Sequence, residues 1–165
     1  MVPNIILIGP VGVGKSTQGH LLAERLGRPR HAMDARRWEY YREIGYNEEK
    51  ARRIQDQEGF LGLYRYWKPF EAHAVERLLA ETQGAIIDFG AGHSVFEDDA
   101  LFARVRRAMR AGGEAVLLLP SPDPDESVSL LRQGKWDGMA GEFDVHTHFV
   151  KHHSNHELAR FVVYT

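Results

Sequence analysis

The sequence predicts an α/β fold built on a parallel sheet, and three observations carry that expectation. Short apolar runs alternate with longer amphipathic stretches along the 165 residues, the signature of repeated strand–helix units. The first run, Ile5-Ile6-Leu7-Ile8, enters a glycine-rich turn ending in Lys15-Ser16-Thr17, a strand–loop–helix order. Internal repeats and Pro/Gly/Ser-rich linkers are absent, so residues 1–165 are expected to form one domain.

Taken in order, Asn4 to Ile8 reads as a buried first strand. Lys15 to Leu26 reads as a helix with Leu21, Leu22 and Leu26 toward the core and Gly27 as its stop. A short second strand is signalled near Pro29 to Met33. Asp34 to about Tyr46 and Asn47 to about Gln57 have a charged, helical character, and Pro69 to Thr82 a longer helical pattern with Val75, Leu78 and Leu79 inward. Ala85 to Phe89 is a third strand, apolar until Asp88. Ser94-Val95-Phe96-Glu97 has capping-box spacing, and Asp98 and Asp99 suit the positive end of a helix running to about Arg110. Ala115 to Leu119 is a fourth strand. Asp123-Pro124 opens the next helix, with proline at its first position. Residues 134–146 are glycine-containing and weakly periodic. A short helix near Val150 to Ala159 and a last strand, Phe161 to Tyr164, complete the order.

Bulk properties narrow the function classes. Hydrophobic residues make up 43% and charged residues 27%, values of a globular chain rather than a disordered one. A formal net charge of −2 gives no global positive field for nucleic acid or an anionic membrane surface. Cysteine is absent, which excludes disulfides and thiolate metal sites. No stretch approaches the roughly 18 consecutive apolar residues of a membrane span. The N-terminus lacks a basic segment followed by a signal-like apolar run, so the expected location is the cytoplasm.

Gly9-(four residues)-Gly14-Lys15-Ser16 matches the P-loop pattern in its required place between a strand and a helix. Glycine permits the backbone to turn its N–H groups inward on phosphate oxygens, and the following helix adds its positive end. Gly9, Gly12, Val13, Gly14, Lys15, Ser16 and Thr17 are therefore the candidate nucleotide cradle. Lys15 would reach the β- and γ-phosphates and Ser16 would ligate Mg2+. Ile86-Ile87-Asp88 is an apolar strand ending in an acid. At the carboxyl end of the sheet Asp88 would join Ser16 at the metal; the alternative is a strand-end carboxylate that only binds the following turn. His152 and His156, four apart, have a spacing that also occurs in metal sites, but a solvated helix accounts for it.

The guanine-reading N-K-x-D of GTPases is absent. The segments GPVGVGKSTQGHLLAERLG, DQEGFLGLYRYWKPFEAHAVERLLAE, GAIIDFGAGHSV, SLLRQGKWDG and NHELARFVVYT, in that order, resemble the shikimate kinase-like branch of the small-molecule and nucleoside monophosphate kinases. The resemblance implies a three-layer α/β/α P-loop NTPase fold with a five-stranded parallel sheet. It further implies Mg-ATP as donor, an acceptor-binding helical region here at about 34–82, and a lid at about 132–148. The family's D-x-D after the second strand becomes Ala32-Met33-Asp34, its E-G-F-R becomes Glu58-Gly59-Phe60-Leu61, and its G-G-G becomes Gly90-Ala91-Gly92. Its arginine before the last helix falls at Ser154, whereas Arg132 matches the nucleotide-side arginine that opens the lid.

These matches point to an ATP-dependent phosphotransferase acting on a hydroxyl of a small metabolite other than shikimate, working as a monomer or homodimer. Lys15, Asp34 and Arg132 are the candidate catalytic residues, with Arg132 also on the nucleotide. Asp34 would orient the acceptor hydroxyl or take its proton, although an aspartate there also suits an N-cap. Lys135 would join Arg132 on the adenine or the transferring phosphoryl group. Arg65 and Trp67, within Tyr64-Arg65-Tyr66-Trp67-Lys68, would offer a cationic and aromatic wall to an anionic or planar substrate. Gly90, Gly92 and His93 would line the same acceptor pocket. The rival functions are a non-catalytic ATP-binding regulatory module and a nucleoside or nucleotide kinase.

Overall fold

A computed structural model describes residues 1–134 and 143–165. Its sheet has five parallel strands, β1 (Asn4–Ile8), β2 (Arg30–Ala32), β3 (Ile86–Asp88), β4 (Gly113–Leu119) and β5 (Phe161–Tyr164). Their spatial order is β2-β3-β1-β4-β5. The helices are α1 (Lys15–Leu26), α2 (Met33–Glu43), α3 (Glu48–Glu81), α4 (Asp99–Gly112), α5 (Pro124–Arg132), α6 (Val145–Lys151) and α7 (His153–Leu158). A 3-10 turn covers Ala91–Ser94.

The inner strands β1, β3 and β4 form because their runs are largely apolar on both faces, as a sheet covered on both sides requires. Ile6, Ile8, Ile87, Leu117 and Leu119 face a core shared with Val75, Leu78, Val105 and Met109. Leu118, on the other face, packs with Val13, Val128, Leu131 and Val150. Because β3 lies between β2 and β1, the loops after these three strands stand side by side at the carboxyl end of the sheet, where open α/β sheets bind ligands.

Several expectations are corrected. Leu21 and Leu26 are about half exposed. Helix α1 instead meets the sheet through Gly19, where a Cβ would stand 3.0 Å from Asp88 and 3.2 Å from Arg30. Residues 60–68 are helical, so α3 is two helical stretches joined by a kink at Gly59 (φ 70°), the second of which runs past Pro69. Proline at 69 costs the partner of the Arg65 carbonyl, and both residues are exposed, so that carbonyl is not an unpaired group in the core. The capping box at Ser94 is not used: Asp98 caps α4 by accepting from the Leu101 N–H. The Ser94 hydroxyl is buried and donates to Asn155 Oδ1 at 2.7 Å. The single helix expected over 150–159 is two, divided at His152, whose ring accepts from the Ser154 N–H. His152 and His156 therefore do not share one helix.

Candidate active site

At the end of β1 the chain turns at Gly9, φ 143°, where a Cβ would lie 2.5 Å from the Leu118 carbonyl oxygen. Gly12 and Gly14 follow with φ of 81° and 98°, left-handed values that glycine adopts without strain, and Gly14 leads directly into α1. The Lys15 side chain folds back over this loop and donates to the Gly9 and Pro10 carbonyls, each at 2.8 Å. Burial lowers its pKa to about 8, with Asp34 and Asp88 opposing that fall. Ser16 Oγ donates to Asp88 Oδ2 at 3.1 Å. Asp88 is in turn gripped by Arg30, Nε to Oδ1 at 2.7 Å and a terminal nitrogen to Oδ2 at 2.9 Å, a bidentate geometry that fixes the carboxylate. Ala32 and Asp88 are Cα partners across β2 and β3. An acid thus stands one strand over from the place where the sequence lacks one.

The opposite wall comes from α2, α3 and the turn after β3. Phe60, Tyr64, Trp67 and Glu71 line the cleft at spacings of four, three and four, one stripe of a helix. Asp34 and Arg37, three apart on α2, do the same. Gly90 lets Asp34 and His93 close in: a Cβ there would stand 2.5 Å from Asp34 Oδ1 and 2.9 Å from His93 Nδ1. His93 is 1% exposed. Burial, helped by Arg37 and Lys68 and opposed by Asp34, pushes its pKa down to about 3, so the ring is neutral. Tyr41 Oη lies 3.3 Å from its Nε2, while Nδ1 has no partner. Lys68 Nζ is committed to the carbonyls of Gly92 (2.7 Å) and Val95 (2.8 Å) and to Glu71 (2.5 Å). P-loop and wall enclose one cavity of about 640 Å3.

Of the residues expected in the site, Gly12, Gly14, Lys15, Ser16, Thr17, Asp34, Trp67, Gly90, Gly92 and His93 line this cavity. Asp88 reaches it through Ser16. Gly9 shapes the loop from below, and Val13 packs into the core. Arg65 is exposed on the far side of α3, so the cationic wall comes from Arg37 instead. Arg132 does not line the cavity; it is paired with Asp144, with Thr147 at 3.4 Å. Lys135 lies outside the described residues, as does the stretch 135–142 of the expected lid. Asp34 is not an N-cap, since Ala32 holds that position and Asp34 sits in the first turn of α2. Sequence reasoning had Tyr64 in its acceptor cluster but missed Arg37, Phe60, Glu71 and Phe149 as lining residues. The helical stripes through Asp34 and Trp67 were the available signal for all but Phe149.

No family model matches the chain. A shikimate kinase of Chromohalobacter salexigens is 31% identical over 144 residues, 81% of this chain and 68% of that protein. This chain belongs to the shikimate kinase family. A Streptomyces coelicolor shikimate kinase is 34% identical over 130 residues, 76% of this chain and 62% of the relative, so less than two thirds of that protein is spanned. A solved shikimate kinase of Acinetobacter baumannii in complex with shikimate superposes with a TM-score of 0.67 at 25% identity, covering 100% of this chain and 84% of that one. Against the shikimate kinase pattern, Leu61 and Ser154 stand where arginines are expected. Leu61 is exposed, and Ser154 is buried on the Phe96 backbone.

Proposed function

We propose that this chain transfers the γ-phosphoryl group of Mg-ATP to a hydroxyl of a small molecule seated against the Gly90–His93 turn. The observation that carries the reading is the single cavity that has Lys15 and Ser16 on one side and Asp34 on the other. The residues fit the cofactor: the glycine turns of the P-loop open toward the cavity, and a hydroxyl and a carboxylate, Ser16 and Asp88, stand within 3.1 Å of each other beside Lys15. Bound Mg2+ would supply charge neutralisation on the phosphate oxygens. The Ser16 hydroxyl would be its ligand. Asp88, already neutralised by Arg30, suits hydrogen bonding to the ion's water rather than direct ligation.

Lys15 would leave the Gly9 and Pro10 carbonyls for the phosphates, placing its charge where negative charge develops. Asp34 would accept the hydrogen bond of the acceptor hydroxyl and hold its oxygen in line. The reading that the acceptor is not shikimate rests on Leu61 and Ser154. A panel of hydroxylated acids, sugars, cyclitols and nucleosides, shikimate included, tests it by acceptor-dependent ADP release with Mg-ATP. Turnover with one acceptor class is expected, abolished by Lys15→Ala and reduced about a hundredfold or more by Asp34→Asn. Nucleotide binding without turnover on any acceptor would leave the regulatory-module reading in its place.

A further inference from the structure

Among the described residues, Arg37, His93 and His146 each bury a polar atom that has neither a hydrogen-bond nor an ion-pair partner; Glu71 Oε2 is held by Lys68 at 2.5 Å. Arg37 and His93 line the active-site cavity. A buried polar group without a partner is costly, and two facing one space mark where a ligand's polar groups would go.

The cations of that space differ in what they have left to give. Lys15 belongs to the phosphate side. Lys68 stands behind Glu71 with all three of its N–H donors spent on Gly92, Val95 and Glu71. Arg37 makes no hydrogen bond to any described residue, and its nearest acid, Asp34 Oδ1, is 3.7 Å away on a side chain 66% exposed. Its guanidinium is nevertheless held in place, 4.4 Å from the Trp38 ring and 5.4 Å from the Trp67 ring. Stacking on aromatic rings engages the face of a guanidinium and leaves its edge, with the N–H fork, free for a planar anion.

We propose that Arg37 reads an anionic group, a carboxylate or a phosphate, on the same molecule that offers its hydroxyl to Asp34. The cation that the sequence lacks at Leu61 and Ser154 is thereby supplied from α2, on a different side of the pocket. Arg37 lies one helical turn from Asp34, so the anion and the reacting hydroxyl lie about 5–6 Å apart along one side of the ligand. Trp67, Phe60 and Tyr64 cover its apolar part. Which end of the ligand reacts rests on the kinase reading above; the anion contact itself does not.

Equilibrium binding to the Mg-ADP-loaded protein, followed by calorimetry or by fluorescence of Trp38 and Trp67, tests the assignment with matched probes. Gluconate against glucitol and shikimate against its methyl ester report on a carboxylate; ribose 5-phosphate against ribose reports on a phosphate. In at least one pair the anion is expected to bind about ten- to a hundredfold tighter than its neutral partner. Arg37→Gln is expected to erase that margin with ADP affinity unchanged. Should Arg37→Gln not fold, Arg37→Lys keeps the charge without the planar fork and is expected to cut the margin about tenfold. No preference for an anion in any pair, or a preference that survives substitution of Arg37, overturns the assignment. Anion preference without phosphoryl transfer to any probe would count against the kinase reading alone.

Discussion

Lys15 carries the clearest pH signature in the molecule. Its ammonium is buried and held near a pKa of about 8, well below the usual lysine value. Phosphates bind the charged form, so the free protein must hold or acquire that proton when nucleotide enters. Below pH 8 the proton is already present and affinity is flat. Above it, each bound nucleotide must recover a proton, so between pH 7 and pH 9 the Kd for ADP is expected to rise about tenfold. At pH 8 calorimetry in buffers of different ionisation enthalpy should record uptake of about half a proton. His93, pushed to about 3 by burial, adds no inflection in this range. A Kd that stays flat from pH 7 to 9 would assign the phosphate contact to another group. The sequence made Lys15 legible because the P-loop is a local pattern; its burial is a property of the closed loop and was not.

At the scale of elements, the apolar strands β1, β3 and β4 were legible and the acceptor helices only in part. Strands are legible because continuous apolar runs such as Ile5–Ile8 have few other destinations. Residues 58–68 were legible only through the family resemblance, which places them in a helical region, and not from their own pattern: Gly59 does interrupt the helix (φ 70°, ψ −165°), whereas packing of Leu63, Tyr64 and Phe70 carries it through Pro69. Arg65 shows how that gap distorts a site. With no helix assigned, its neighbours Tyr64 and Trp67 seemed to share its surroundings, but a helix turns Arg65 about 100° away from Tyr64. The turn after β3 is the opposite case, a local pattern whose purpose is steric. Gly90 has φ −64° and ψ 151°, which alanine adopts freely, so Gly90→Ala should fold. Its methyl would meet Asp34 and His93 and push both aside. A displacement near 1 Å is worth about a hundredfold in rate, so kcat/KM for the acceptor is expected to fall by about that factor. ADP affinity should stay close to that of the parent, while displacing the buried His93 ring lowers Tm by about 2–10 °C, as parallel titration and thermal melts can check.

For the whole molecule, strand order does what no local pattern records. Asp34, the Gly90–His93 turn and the P-loop follow β2, β3 and β1, and the order β2-β3-β1 puts them side by side. The opposite end of the sheet holds that order by one side chain. Asn4 is 1% exposed. Its Nδ2 donates to the carbonyls of Thr82 (2.8 Å) and Gly112 (2.7 Å), and its Oδ1 accepts from the Ala85 N–H (2.9 Å). One residue of β1 thus ties down the chain leaving α3, the end of α4 and the approach to β3. Asn4→Ala would leave two carbonyls and an N–H without partners, at a cost of about 2–4 kcal/mol, or about 5–15 °C in Tm for a chain of this size. Asn4→Asp tests whether the amide matters as a donor. It keeps the acceptor for Ala85 but sets a carboxylate oxygen against the Thr82 and Gly112 carbonyls. An aspartate so placed has its pKa raised in the folded state, so the unfolded chain gives up its proton at lower pH. Stability is then lost as pH rises through the unfolded value of about 4, and Asn4→Asp should regain part of its Tm deficit on acidification where Asn4→Ala does not. Asn4 lies a full strand, about 16 Å, from the P-loop, so acceptor kcat/KM per folded molecule should be unchanged in both variants. Equal melting of Asn4→Ala and the parent would show that the three ends are held by packing rather than by this amide.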